Sequence, residues 1–244
     1  MLKKIIYSLL VTGISFSNLS AQVTMEKCGW YEAKESLING DEELRKEIDL
    51  LGEQFNSEVD NFNFATKMTP DTIIIPIVFH VIHNNGSENV SNEVIYQALE
   101  RLNTDMMAQN DDLDQISEDF VDVIGNPQIE FRLAQYDNDG NCTSGITRTV
   151  STLTYSGDDD VKDLVMWPRN KYLNVWICQS ALNGQAGGYT YRPNAVHNYP
   201  GIDGIVVRAA QFGANQRTLT HEVGHWLNLA HTWGNTNQPG LLSN

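Results

Sequence analysis

The sequence predicts an α/β domain: a twisted mixed β-sheet with one backing helix and one further helix bearing a histidine cluster, preceded by a small helical segment. Three observations lead there. From Gln22 to about Thr69 the composition is helical and acidic, with apolar residues at roughly helical spacing. From Thr72 onward, continuous or alternating apolar runs alternate with helical patterns, the grammar of mixed strands and helices in one layer structure. The chain has 244 residues, enough for one large domain or a smaller one with an appendage.

At the N-terminus, Lys3 and Lys4 precede an apolar run from Ile5 to Phe16, and polar and small residues lead to Leu19-Ser20-Ala21. This is the composition of a secretory signal peptide over residues 1–21. Its apolar core is shorter than the ~20 residues a membrane span requires, and no later stretch reaches that length. A secreted, extracellular protein without a membrane span is expected. The formal net charge of -15, from 31 acidic against 16 basic side chains, repels phosphate backbones and excludes nucleic acid as a natural partner.

Residues 22–69 read as two acidic helices with Leu37, Leu44, Ile48 and Leu51 at helical spacing. Asn39-Gly40 stops the first and Asp41 caps the second. The segment is either a helical hairpin packed permanently on residues 70–244 or a removable pro-segment. The run Thr72 to Ile82 is nearly continuous apolar, as in a strand buried on both faces, and Pro76 within it requires a bulge or an edge position. Ser91 caps a helix carrying Val94, Ile95, Ala98, Leu99 and Leu102. Ile129 to Leu133, Tyr172 to Cys178 and Gly204 to Val207 complete the predicted strands.

Several stretches imitate sites. DNDGN at 137–141 has the start of a calcium loop, but that loop needs glycine sixth and glutamate twelfth, where Cys142 and Arg148 stand; a hairpin-type turn is the better reading. Asp158 to Asp160 reads as a solvated loop. His80 and His83 lie three apart on a strand, hence on opposite faces, and do not ligate jointly. His197 falls in a loop with no nameable partner. Of the three cysteines, Cys142 and Cys178 are expected to pair in an oxidising compartment, which leaves Cys28 over.

The chemistry gathers at TLTHEVGHWLNLAHTWG, residues 218–234. His221 and His225 are four apart, so on a helix both imidazoles leave one face and can grip one metal ion, with Glu222 beside the first. Leu219, Val223, Trp226 and Leu227 give the same helix a separate core face. His231 reaches the site only if the chain bends sharply after about Leu227. Left-handed backbone at Asn228 would do it, since asparagine is among the few residues other than glycine that adopt that geometry readily. Three neutral imidazoles leave a tetrahedral zinc one open position for water, the arrangement of a catalytic site, with Glu222 as general base and then acid.

HEVGHWLNLAH resembles the HExxHxxGxxH signature of metzincin zinc metallopeptidases, with asparagine in place of its glycine, and the following HTWG resembles the pappalysin (cytophagalysin) branch. KCGW, IPIVFHVIHN, GITRT, KYLNVWIC, GGYTY and DGIVVRAAQFG stand in the order expected of that family. The resemblance implies a metzincin-like upper catalytic subdomain and a zinc endopeptidase made as a latent precursor, with His221, His225 and His231 on zinc. It also implies a latency role for Cys28, whose thiolate would fill the position that water needs; a disulfide from Cys28 to another cysteine is the alternative. A protein or peptide substrate would lie extended along a sheet edge at Gly187 to Tyr191. Calcium is compatible with the family as well, at no site that these residues identify. The thirteen residues after His231 contain no methionine for the turn that floors such sites. This implies a catalytic domain continuing beyond Asn244 and a 244-residue polypeptide that binds zinc weakly and cleaves peptides poorly. The rival class is a secreted binding module retaining an idle zinc site, against which the presence of Glu222 argues. A zinc amidase or deacetylase does not suit the spacing of His231.

Overall fold

The computed structural model describes residues 28–60, 72–232 and 234. The predicted signal peptide at 1–21, the junction at 61–71 and residues 235–244 lie outside the described residues. Six strands form one sheet: β1 (Ile73–His83), β2 (Ile129–Leu133), β3 (Ile146–Val150), β4 (Leu173–Cys178), β5 (Gly188–Thr190) and β6 (Ile205–Arg208). The order is β2-β1-β4-β6-β5, and β3 continues along β1 beyond β2. All pairings are parallel except β5 with β6, so β5 is an antiparallel edge strand.

Pro76 takes the edge position that its missing N–H requires. The amides of Ile73 and Phe79 point to the β2 and β3 side, donating to Gln128 O and Gly145 O. By strand alternation the nitrogen of Pro76 points to the β4 side, where pairing begins only at Ile77 with Leu173. The residues before Ile77 are correspondingly not buried on both faces, and burial is continuous only from Ile77 to His83.

Each sheet face carries its own core. On one, α3 (Asn92–Met106) and α6 (Thr218–Trp226) pack Ile95, Ala98, Leu102, Leu219 and Val223 against Phe79, Val81, Val175 and Val207. Ser91 Oγ accepts from Val94 N and starts α3. On the other face lie α1 (Trp30–Ile38), α2 (Glu42–Asp60), α4 (Asp160–Leu164) and α5 (Pro193–Val196). There Ala33, Ile38, Ile48, Val161 and Val196 cover Ile82, Trp176, Tyr189 and Val206. The α1–α2 turn follows the predicted chemistry: Asn39 has φ 44°, and Asp41 Oδ1 accepts from the amides of Glu43 and Leu44.

Three expectations need correction. No disulfide joins Cys142 and Cys178: Cys142 is exposed, and Cys178 is fully buried at the far end of β4. Cys142 precedes β3, on the opposite side of β1 from β4 and towards the other end of the parallel strands. Two strand spacings of about 4.8 Å already exceed the Cα separation a disulfide spans. Second, Asp158 to Asp160 is not simply a solvated loop. Asp159 pairs with the wholly buried Lys162 at 2.8 Å and accepts from the hydroxyls of Tyr189 and Tyr191. Third, β3 and α4 escaped the sequence reading. DNDGN does form a turn, with Asp137 Oδ1 accepting from the amides of Asp139 and Asn141 between bridged Tyr136 and Cys142.

His80 and His83 point to opposite faces, and His80 is a satisfied core residue, with Nδ1 2.7 Å from Thr147 Oγ1 and Nε2 2.9 Å from Asn174 Oδ1. Burial holds it neutral, lowering its pKa from 6.5 to about 4. Below pH 6.5 the unfolded chain takes up a proton that the folded one refuses, so this contribution is present above 6.5 and lost as pH falls towards 4. We expect a loss of about 3 kcal/mol across that window. Denaturant unfolding of wild type and His80→Gln at several pH values checks it: the difference between the two should shrink on acidification.

Candidate metal and active site

Helix α6 ends where its sequence demands. Asn228 has φ 76°, its amide donates to His225 O, and the amide of Leu229 donates to Gly224 O. These two bonds are the Schellman pattern, with asparagine at the left-handed position that glycine usually fills. The reversal has two products. Leu229 O comes to 2.8 Å from His225 Nδ1. A carbonyl only accepts, so Nδ1 carries the proton and Nε2 presents its lone pair. The same reversal swings His231 back over the helix.

Three Nε2 atoms converge: His221 to His225 3.1 Å, His225 to His231 3.0 Å, and His231 to His221 3.3 Å. Zinc–nitrogen bonds of about 2.0–2.1 Å in a tetrahedron separate the nitrogens by about 3.3 Å. The spacing of the three nitrogens matches that of ligands around one ion, so the donor set fits a divalent metal. Burial lowers the pKa of all three rings, His225 to about 4, which keeps them in the neutral form a metal requires.

Cys28 completes the set: its sulfur and the three imidazoles offer ligand atoms all within 4.8 Å of one another. Its Sγ is also 4.0 Å from Glu222 Oε2. Burial and the Glu222 charge push the thiol pKa up, and burial raises that of Glu222 to about 8. A divalent cation would reverse both shifts by favouring the anions. Glu222 is fully buried, and among the described residues its Oε1 has no hydrogen-bond partner.

The segment bearing Cys28 wraps the free edge of the sheet. Cys28 bridges Gly188 in parallel, and Gly29 N donates to Gly188 O at 2.9 Å. Gly188 has no room for a side chain: a Cβ there would lie 2.9 Å from Thr218 Cγ2 and 3.2 Å from Glu222 Cγ. Close approach of β5 to α6, rather than a turn, therefore explains the glycine. Trp30 stacks on His225 with centroids 6.0 Å apart and meets His231 edge-on.

Residues 155–240 match the family model described as pregnancy-associated plasma protein-A. A glutamate-to-alanine mutant of Tannerella forsythia promirolysin is 31% identical, over 86% of this chain and 71% of its own, with a TM-score of 0.71. The chain belongs to the pappalysin family of metallopeptidases. Mature mirolysin of the same organism, in complex with a cleaved peptide, is 36% identical over 68% of this chain, with a TM-score of 0.62. Mirolysin in complex with compound 9 gives 36% and 0.61. No curated protein matches the chain. It spans 66% of the length of mature mirolysin.

For this pappalysin, the structure brings together Cys28, His221, Glu222, His225 and His231, and places Cys142, Cys178 and His80 elsewhere. His197 is exposed just after α5. Sequence reasoning missed Trp30 and Arg192. Arg192 donates from Nε and Nη2 to Asn228 Oδ1 and from Nη2 to Asn228 O. Only the adjacency of Arg192 to the GGYTY stretch hinted at it.

Proposed function

We propose that this protein is a secreted zinc endopeptidase, made as a latent precursor whose residues 22–69 are a removable pro-segment. The observation that carries the reading is the triangle of Nε2 atoms with the buried Glu222 carboxylate beside it. Bound there, zinc would act as a Lewis acid on the scissile carbonyl and lower the pKa of water at its open position. His221, His225 and His231 hold the ion, and Leu229 O fixes the tautomer of His225. Glu222 takes the proton from the attacking water and hands it to the leaving amine. β5 offers its outer edge to an extended peptide by main-chain hydrogen bonds, with Gly188 letting the strand run close to Glu222.

Latency follows from two occupations. Cys28 supplies the fourth donor, and the stretch from Cys28 to Trp30 covers the edge that a substrate would use. The complex of mature mirolysin with a cleaved peptide supports a peptide substrate for the related site. Export is supported by the signal-peptide composition of residues 1–21.

Metal analysis coupled to a peptide-cleavage assay tests the reading. The protein freed of residues 22–69 is expected to carry one zinc per chain, and a chelator should remove zinc and hydrolysis together, both returning on adding zinc. Hydrolysis that survives complete removal of zinc would overturn it.

A further inference from the structure

We propose that Arg192 is a positioning residue of the metal centre, holding Asn228 and through it the reversal that delivers His231 and the Leu229 carbonyl. The inference rests on the zinc reading above and adds to it a residue outside the histidine motif. Arg192 lies two residues after the edge strand, at the N-cap position of α5, so it is carried by that segment rather than by α6. From there its guanidinium crosses to the bend and makes three hydrogen bonds of 2.9–3.2 Å to the side-chain and main-chain oxygens of Asn228.

A planar guanidinium that donates from two nitrogens fixes both the position and the orientation of its partner. The Trp30 ring covers it, with Arg192 Cζ 5.8 Å from the ring centroid, so the bonds form in a site partly withdrawn from water. Asn228 thus does two things. Its backbone adopts the left-handed geometry of the turn, and its amide oxygen gives Arg192 a handle that glycine at this position would lack. One residue further on, Leu229 O receives His225 Nδ1, and two beyond that stands His231. A bend free to rock would loosen two of the three imidazoles at once, whereas His221, a full turn back on α6, would be unaffected.

The test is zinc affinity, measured on the whole chain by competition with a chromophoric chelator, alongside the thermal midpoint of the metal-free protein. Arg192→Ala is expected to weaken zinc binding about 10–100-fold, the range for groups that orient metal ligands. Asn228→Gly, which keeps the turn and removes the handle, should weaken it similarly, and the double variant should be no worse than either single one. Arg192→Lys should not restore affinity, because an ammonium cannot reproduce the planar fork. Affinities of both single variants within twofold of wild type, or losses that multiply in the double variant, would overturn the proposal. So would a lowered metal-free midpoint with unchanged zinc affinity, the mark of a purely structural role. If Arg192→Ala does not fold, Asn228→Gly alone decides by the same criterion. Wild-type protein that takes up no zinc sinks the zinc reading as well, and is thereby distinguished from failure of the clamp alone.

Discussion

Glu222→Gln is expected to slow peptide hydrolysis by about 10²–10⁴-fold relative to the wild-type chain processed in parallel, with zinc content unchanged. The amide keeps the size of the carboxylate and cannot accept a proton. Glu222 lies in a fully buried position beside His221, walled by Gly188, and Oε1 has no hydrogen-bond partner among the described residues. Such a group has no structural bond to lose on that oxygen, so the cost falls on proton transfer rather than on the fold. Without a cation, burial raises its pKa to about 8. A bound dication favours the carboxylate, so the acid limb of the wild-type rate profile should lie well below that value. Activity of Glu222→Gln within tenfold of wild type, at full zinc occupancy, would remove Glu222 from the proton path.

The second large effect concerns Cys28. In the unprocessed chain, Cys28→Ser is expected to raise hydrolysis at least tenfold, because the weaker oxygen donor gives way to water where thiolate does not. Substituting cobalt for zinc separates this from a loosened pro-segment: wild type should show a sulfur-to-cobalt charge-transfer band, and the variant should lack it. Gly29 still pairs with the edge strand and Trp30 still lies against His225 in the variant, so activation should be partial. Removal of residues 22–69 should complete it. If Cys28→Ser with the segment intact is as silent as before, the thiol has no part in latency.

How much of this could be read from the residues depended on the range of the interaction. The bend at Asn228 was legible because it is local: a left-handed position, a helix stop and a histidine three residues on lie within one motif. The separate apolar face of α6 was legible for the same reason, and Leu219 and Val223 are indeed buried. The caps at Ser91 and Asp41 are equally local. Long-range partners were hidden. Lys162 and Asp159 look like surface charges in sequence, and only the fold brings Tyr189 and Tyr191 over them from some thirty positions away. Arg192 has its partner 36 residues downstream. The expected Cys142–Cys178 pair failed because cysteine arithmetic carries no information about which side of β1 each strand takes. β3 escaped because a five-residue strand of intermediate burial has little alternation to detect.

The most direct test of the central claim is X-ray absorption at the zinc edge of the unprocessed chain. The expected first shell is three nitrogens at about 2.0–2.1 Å and one sulfur at about 2.3 Å, with the sulfur replaced by oxygen after residues 22–69 are removed. A zinc shell with fewer than three imidazoles, or the absence of stoichiometric zinc, would contradict it.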